Sequence, residues 1–507
     1  MTPTTTDLNL LKSHSKKIRM TIKLFDSVTY QEVDNITGNV VSASYDKTYN
    51  SDIRVTCSLT ISIPNKNNIN LDFEKTWNRR MVELYCGIYD QSSKTWREYS
   101  LGRMLMVSGS TTYDAVNQTV QLSLVDLMAS MTESRGSQVG SDTHIPATEH
   151  GTNVRNVLIS IINEFATFKR YNICQFEDTI PYDLDFGNGI YPIEMLRKIL
   201  SLFPYYEMFY DADGIFTVQK IPTRIEDPVD IGAYVIDECL ISESKESNFS
   251  DIKNTTEIWG KELDCDYAAV SCIQSNSTYN VTIDQSFTSY EDGESYAVYP
   301  NTDSVSGQKM KIQDLAEYKI YTVSGIEEYT EIPAGAMKAN TAYVIRYFAQ
   351  KFILVGEFQI RCIVQEITEM PSASAQQYYK EINNCEYVQW VVNPDSTYAC
   401  TLAPSTGRII GEIKQVLNSG EYADIYSLDL AYERARYENW RKCRLQDKVT
   451  IQSILIPWID INQKIQYTSP TTGEVGTWIV QSISFNFENW TMDVTASRFY
   501  PSYPWEQ

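Results

Sequence analysis

Catalysis and metal binding need nucleophiles, bases or ligands at fixed spacing, and this chain of 507 residues holds few candidates. Its three histidines are His14, His144 and His150. None stands near cysteines at metal-ligand spacing, which argues against a zinc site. His144 and His150 flank the stretch IPATE in a polar connection and read as surface or hinge residues. Ten cysteines (57, 86, 174, 239, 265, 272, 362, 385, 400 and 443) are scattered without a CxxC pair. In a chain this long they read as thiols in a reducing cytosol, not as a disulfide frame. Cys86, in the strand-like run YCGIY, is expected in the core. Two acidic loops, Asp183–Gly189 (DLDFGNG) and Asp211–Gly214 (DADG), faintly resemble calcium loops. Neither supplies the further ligands or the closing glutamate of an EF-hand, so turn chemistry is the better account. GxSxG, HExxH, GxxxxGK[ST] and GxGxxG patterns are absent. With 65 carboxylates, any pair chosen as an acid and base would be arbitrary. No catalytic, metal or cofactor-binding residue is assigned, and the chain reads as non-enzymatic.

Composition bounds the rest. The chain is 43% apolar, with 35 tyrosines, 22 glycines and 17 prolines, which suits strands and globular domains. At about 100–200 residues per domain, three or four are expected. The net charge of −22 argues against gripping nucleic acid, which needs a surplus of Lys and Arg. It suits a wall that DNA slides past, and it also suits plain solubility. No apolar run approaches about 18 residues, so no membrane span is expected. The N-terminus, MTPTTTDLNLLKSHSKK, lacks the apolar core of a signal peptide.

The elements that would position any site are mostly strands, and the expected fold class is β-rich α+β. Residues 1–17 read as a flexible polar arm. From Ile18 the chain alternates (Ile18, Met20, Ile22, Leu24 against Arg19, Thr21, Lys23), as a half-buried antiparallel strand does. Similar runs at 55–63, 80–89, 104–109 and 119–125 predict a first antiparallel β-barrel over 18–131. A small α+β domain is expected over 136–236. Val154, Leu158, Ile161, Ile162 and Phe165 make a helical stripe, and Pro192 opens a second helix. Asp213-Gly214 marks a hairpin. Residues 265–424 read as an inserted, mostly β domain. Strands near 239–260 and again from 449 to 499 each lack a complete sheet. The economical solution pairs them across the insertion, giving a second, discontinuous barrel from 237–264 plus 425–507.

The stretch from Tyr426 to Tyr467 reads as a helix running into a strand pair. Ser427 can cap it and Asp429 sits in its first turn, while Arg441, Lys442 and Arg444 crowd its end. Leu428, Ala431 and Ala435 fall at helical spacing, and the alanines let something pack close. Its wording, LAYERARYE and then ILIPWIDINQKIQYT, resembles the closing segment of phage tail-hub (tail-tip or baseplate-hub) proteins. The chain is similar to the N-terminal hub module of tail-associated lysins of Gram-positive phages. Further stretches resemble that family in the same order: SDIRVTCSLTISIPN, WNRRMVELYCGIYD and WREYSLGRMLMVSG, then IPATEHGTNVRNVLISIINEF, PYDLDFGNGIYPIEMLRKIL and YYEMFYDADGIFTVQKIP. SDIKNTTEIWG, ANTAYVIRYFAQKFILVGEFQ and GTWIVQSISFNFENWTMDVTASRFYP complete the set, while residues 266–310 and 363–405 match nothing in it.

The resemblance implies a structural virion protein assembled in the host bacterial cytoplasm. It implies a homotrimeric ring in which two tube-like barrels per subunit mimic sixfold symmetry and continue the tail tube. Such a hub closes the tube, contacts tail tube, distal tail and tape-measure proteins, and joins receptor-binding or fibre components for host attachment. During ejection DNA passes through its acidic lumen without specific binding. Relatives often carry a C-terminal peptidoglycan hydrolase, whereas this chain ends just past the hub module at Trp505, Glu506 and Gln507, so no lytic activity is expected. The alternative is a carbohydrate- or receptor-binding tail protein acting through the aromatic-rich insertion.

Overall fold

The computed structural model describes residues 3–499 except 14–15, 36–39, 50, 63–79, 108–111, 115, 141–150, 182–183, 185, 223–226, 228–235, 249–252, 254, 286, 326–327, 365–387, 393–397, 403–412 and 443–445. The described residues fall into two compact units, one from 3–248 and 446–499, the other from 253–364 and 388–442.

The first unit opens with a helix where a flexible arm is expected. In α1 (Thr5–Lys12) Thr4 and Asp7 form a capping box, and Leu11 is fully buried. Asp7 also accepts from Arg97 Nη1 at 2.8 Å and from the Tyr99 hydroxyl at 2.7 Å. That buried carboxylate anchors the segment. Eight strands follow: β1 (Ile18–Asp26), β2 (Glu32–Asn35), β3 (Val40–Thr48), β4 (Val55–Ser62), β5 (Arg80–Asp90), β6 (Thr95–Met106), β7 (Thr112–Asp114) and β8 (Thr119–Asp126). The strand expected from Ile18 is present, β1 lying antiparallel to β5 with Ile22 opposite Leu84, but its burial does not alternate: Thr21 and Phe25 are buried while Ile18 and Met20 are half-buried. Strands β2 and β3 have no counterpart in the hydrophobic pattern, because β2 is exposed throughout and β3 buries only Tyr45.

Two helices and a three-stranded sheet lie within residues 154–220. Asn153 caps α2 (Val154–Phe165), which buries Val154, Val157, Leu158, Ile161 and Ile162. At about 1.5–3 kcal/mol each, five aliphatic side chains hold it firmly. Helix α3 (Pro192–Leu200) begins with its proline. Strands β9 (Tyr171–Ile173), β10 (Tyr206–Tyr210) and β11 (Phe216–Lys220) make a sheet in the order β10-β11-β9. Gly214 supplies the positive φ of +70° that the β10–β11 turn requires. A short helix, α4 (Ile236–Cys239), leads into β12 (Leu240–Asn248).

The second unit begins at β13 (Thr255–Glu262). It continues through β14 (Tyr267–Ser275), β15 (Thr278–Ile283), β16 (Ser295–Val298), β17 (Lys309–Ile312), β18 (Tyr318–Gly325), β19 (Glu328–Glu331), β20 (Tyr343–Phe348), β21 (Lys351–Glu357) and β22 (Gln359–Val364). After these come β23 (Val388–Val392), β24 (Tyr398–Leu402), β25 (Lys414–Leu417) and α5 (Leu428–Lys442). Pairing runs β17-β15-β14-β16-β20-β21-β18, and β18 pairs β17 again, so these hydrogen bonds trace a closed circuit. Tyr279, Tyr296, Met310, Ile320, Ile345 and Phe352 belong to one buried core on these strands. A separate sheet, β22-β13-β25, packs against α5.

The chain returns to the first unit with β26 (Gln446–Ile454), β27 (Lys464–Thr468), β28 (Val475–Asn486) and β29 (Thr491–Arg498). Here the pairing across the insertion is observed. β12 lies antiparallel to β26, from Leu240 opposite Ser453 to Asn248 opposite Gln446. Both groups of strands lie in one thirteen-stranded sheet, in the order β12-β26-β29-β28-β3-β4-β8-β6-β5-β1-β2, with β27 paired to β28 and β7 to β8 off this path. β3 and β28 join the halves, with Tyr45 opposite Phe485 and their rings stacked at 5.2 Å. A single core runs through both halves, including Ile22, Leu59, Leu84, Leu122, Val449 and Val494.

Two boundaries are corrected. Both β13 and α5 belong with the insertion's strands, not with β12 and β26. Ala431 and Ala435, fully buried, let α5 lie close on β13 and β22. Gly260 in β13 has no room for a Cβ against the Ile425 carbonyl. Leu428, expected on the buried stripe, is exposed, and Leu430 is buried instead.

Candidate functional site

Among the described residues, those singled out for chemistry do not converge. His14, His144 and His150 lie outside the described residues, as do Asp183, Asp185, Cys385 and Cys443. In the DADG turn, Asp211 Oδ1 accepts from the amides of Asp213 at 3.0 Å and Ile215 at 2.9 Å, so its carboxylate shapes the hairpin. Cys86 is buried in β5, and burial pushes its thiol up to about 12, away from a reactive thiolate. Among the described residues no group of three or more His, Cys, Asp or Glu could hold a metal ion. Among them also, no helix is long and apolar enough to cross a membrane.

What the first unit does bring together is a buried polar knot from three distant parts of the chain. Arg54, just before β4, donates from Nη1 to Glu207 Oε2 of β10 at 2.8 Å. Asn462 Nδ2 donates to the same oxygen at 2.6 Å, and Gln219 Nε2 to Oε1 at 2.8 Å. Arg54 also lies over the Phe209 ring, 4.9 Å from its centroid. Arg54, Glu207 and Asn462 are all buried, and Asn462 takes a left-handed φ of +59° to reach in. A buried pair adds little net stability over apolar packing, but losing one partner is costly. It therefore selects one arrangement of the β3–β4 connection, the β10–β11 hairpin and the loop before β27. Periodicity gives no signal for this knot, because Arg54, Glu207 and Asn462 each look like ordinary surface residues.

Beside it lies a cavity of about 70 Å³, lined by residues including Tyr45, Lys47, Asp126, Asp211, Trp458 and Asp460. Ligand sites usually enclose about 300–1,000 Å³, so this one has no room for an ordinary substrate. Asp126 accepts from the amides of Val55 and Met128, both at 2.9 Å, and caps the turn at 127–131. Burial pushes its carboxyl up to about 6, against those hydrogen bonds. Lys47 is paired with Asp460. The arrangement fastens chain segments together.

The unit's other conspicuous feature is its sheet edges. Strands β2 and β12 end the pairing path, each with a partner on one side. β2 carries Glu32 and Asp34, and β12 carries Glu243, Lys245 and Glu246. Charges on an edge discourage indiscriminate pairing.

A family model described as a domain of unknown function, DUF5048, matches residues 403–503, a span that takes in α5 and β26 to β29. No curated protein matches the chain. Its structural neighbours include phage tail and baseplate proteins and a Francisella PdpA-VgrG complex. One is the tail protein from Neisseria meningitidis MC58, 8% identical with a TM-score of 0.43 over 95% of this chain and 97% of that one. Another is the prophage MuSo2 tail protein from Shewanella oneidensis, 9% identical at 0.43 over 95% and 98%. The prophage tail protein gp18 from Listeria monocytogenes EGD-e is 8% identical, with a TM-score of 0.40 over 96% of each chain.

Proposed function

We propose that this chain is a structural, non-enzymatic virion protein that forms a trimeric hub at the distal end of a phage tail tube. Its two groups of strands act as the tube-like barrels of each subunit, so that three copies present a pseudo-sixfold ring to the tube. The ring closes the tube, meets tail tube, distal tail and tape-measure proteins, and carries receptor-binding or fibre components. The observation that carries this reading is the pairing of β12 with β26. It returns the chain after the insertion to the sheet it left, which the collinear resemblance to hub proteins requires. The charge of −22 supports a lumen wall that repels DNA and keeps it moving. Light scattering should find three chains of 58.1 kDa, about 174 kDa, in solution at assembly concentrations or within particles. A stable monomer that never enters tails would refute the hub. Zymography on host peptidoglycan should show no clearing.

A second reading, binding of a glycan or receptor through the insertion, has its own support on the outer side of the β18–β21 strands. Val323, Phe348 and Val355 are exposed there. Lys351 lies over the rings of Tyr321 and Tyr329, at 5.7 and 4.6 Å. Exposed apolar and aromatic groups in one place commonly mark a contact surface. Binding to host cell walls that is lost in Tyr329→Ala/Phe348→Ala would favour this reading. Unchanged binding, or none in the wild type, would remove it.

A further inference from the structure

Lys47 of β3 and Asp460, in the loop before β27, form an ion pair and both line the cavity of the first unit. Two neighbouring strands fix the lysine, which stands opposite Val55 of β4 on one side and Ile483 of β28 on the other. The aspartate is fixed by its own loop. Its amide donates to Gln463 Oε1 at 2.7 Å, and its Oδ1 accepts from the Ile461 amide at 2.7 Å. Aromatic rings surround the pair: Tyr45 stacks on Phe485, and Tyr99 meets Trp458 edge-on at 5.2 Å. The Lys47 side chain is 14% exposed and that of Asp460 45%, so the amine is enclosed and the carboxyl stands at the opening.

A third group completes the set. Asp126, at the end of β8, accepts from the amide of Val55, the residue opposite Lys47, which brings its carboxyl close to the lysine. Burial raises that carboxyl to about 6, and the Lys47 charge acts on it in the opposite direction. Such a group takes up and returns a proton near neutral pH. Capping the turn at 127–131 does not by itself call for it, since Asn or Ser caps as well without a buried charge. Arg103 and Asp211 are the other charged residues of the lining, and both are engaged, Arg103 Nε with Glu83 and Asp211 with the amides of its own hairpin.

We infer that Lys47 and Asp460 join in an isopeptide bond, a crosslink formed once within the folded chain, with Asp126 moving the protons. Asp126 takes a proton from the Lys47 ammonium and hands one to the Asp460 carboxylate. Away from water the neutral amine and acid are favoured over the two charges. Nζ then attacks Cγ of Asp460, while the Ile461 amide steadies the oxygen on which negative charge develops. The nitrogen loses one further proton through Asp126, the C–OH bond breaks, and water leaves by the opening. The step balances as ammonium plus carboxylate giving amide plus water, and it needs no oxidant, nucleotide or metal. Fixed geometry supplies the rate, since well-oriented partners reach effective concentrations of about 10⁵–10⁸ M. The bond would fasten β3 to the segment that returns after the insertion, covalently locking the seam between β3 and β28. It lies wholly within the first unit and does not depend on the tail-hub reading.

Peptide mass spectrometry of the full folded chain, after several days at neutral pH, tests it. In the wild type the tryptic peptides 24–54 and 449–464 should appear as one species with Lys47 uncut. Its mass should be their sum less one water, about 18 Da. Lys47→Arg keeps the ion pair and should give no linked species. Asp126→Asn keeps an acceptor for the capping amides and should slow linkage about a hundredfold or more. A wild-type chain in which the two peptides stay separate overturns the crosslink, whatever the variants do. So does linkage that persists in Lys47→Arg, or a loss of water within 449–464 alone, the mark of a cyclised aspartate. Linkage at the wild-type rate in a folded Asp126→Asn chain overturns the role given to Asp126.

Discussion

The buried knot around Glu207 yields the sharpest prediction. Arg54→Met removes the only cation among the described residues that bonds this carboxylate and leaves the donors of Asn462 and Gln219 in place. Breaking a buried ion pair by removing one member costs about 3–5 kcal/mol. The two remaining charge-assisted hydrogen bonds put this case at the low end, about 3 kcal/mol. The loss should be local, because Glu207 belongs to β10 and Gln219 to β11. In native-state exchange, 3 kcal/mol is roughly two orders of magnitude in the rate of the β10 and β11 amides. Arg54→Met/Glu207→Leu removes both charges together. It should recover most of that loss and end within about 1–2 kcal/mol of the wild type, the remainder being two amide donors left without an acceptor. A single variant costing less than about 1 kcal/mol, or a double variant no more stable than the single, would show that the pair does not lock these segments.

Three further outcomes are expected. The Asp126 carboxyl is raised from 3.8 to about 6, so the folded protein holds that proton more tightly than the unfolded chain. Its contribution, about 3 kcal/mol, is fully present below pH 3.8 and is lost as pH rises through 6. Asp126→Asn should remove that pH dependence, seen as a smaller difference between urea midpoints at pH 4.5 and 7.5. Asp7→Asn weakens the charge-assisted bonds to Arg97 and Tyr99 that hold α1. Trypsin should then cut at Lys12 at least tenfold faster, whereas an unchanged rate would mean that Leu11 alone anchors the helix. Ser244 and Thr450 face each other across β12 and β26, and opposed residues of antiparallel strands lie within disulfide range. Ser244→Cys/Thr450→Cys should therefore crosslink on mild oxidation, giving a linked peptide pair in the digest. Failure to crosslink would separate the strands and undermine the hub.

Much of the local structure could be read from residue order, wherever one face of an element is apolar and the other is not. β29 alternates, α2 carries its stripe, Pro192 opens α3, and Asp213-Gly214 closes its hairpin. The pairing of β12 with β26 could also be inferred, because two sets of strands each lacked a partner. Elements whose burial comes from neighbours and not from their own pattern were illegible. β2 is exposed throughout, and β3 takes its place in the sheet through β28 and β4, not through an apolar stripe. The capping box of Thr4 and Asp7 was present in the N-terminal segment, but its anchor, Arg97 and Tyr99, lies some ninety residues away.

Periodicity, turn residues and charge thus determined that this is a β-rich chain with a small α+β segment, an insertion and a strongly acidic balance. Those properties follow from side chains within a few positions of one another. Only the tertiary structure decided that the two groups of strands share one sheet and one core. It also decided that α5 packs with the insertion, and that Arg54, Glu207 and Asn462 meet. Each of these depends on backbone hydrogen bonds or buried charges between segments far apart in the chain. Such pairings leave no periodic trace, because the partner that makes a residue's position favourable is absent from its own neighbourhood.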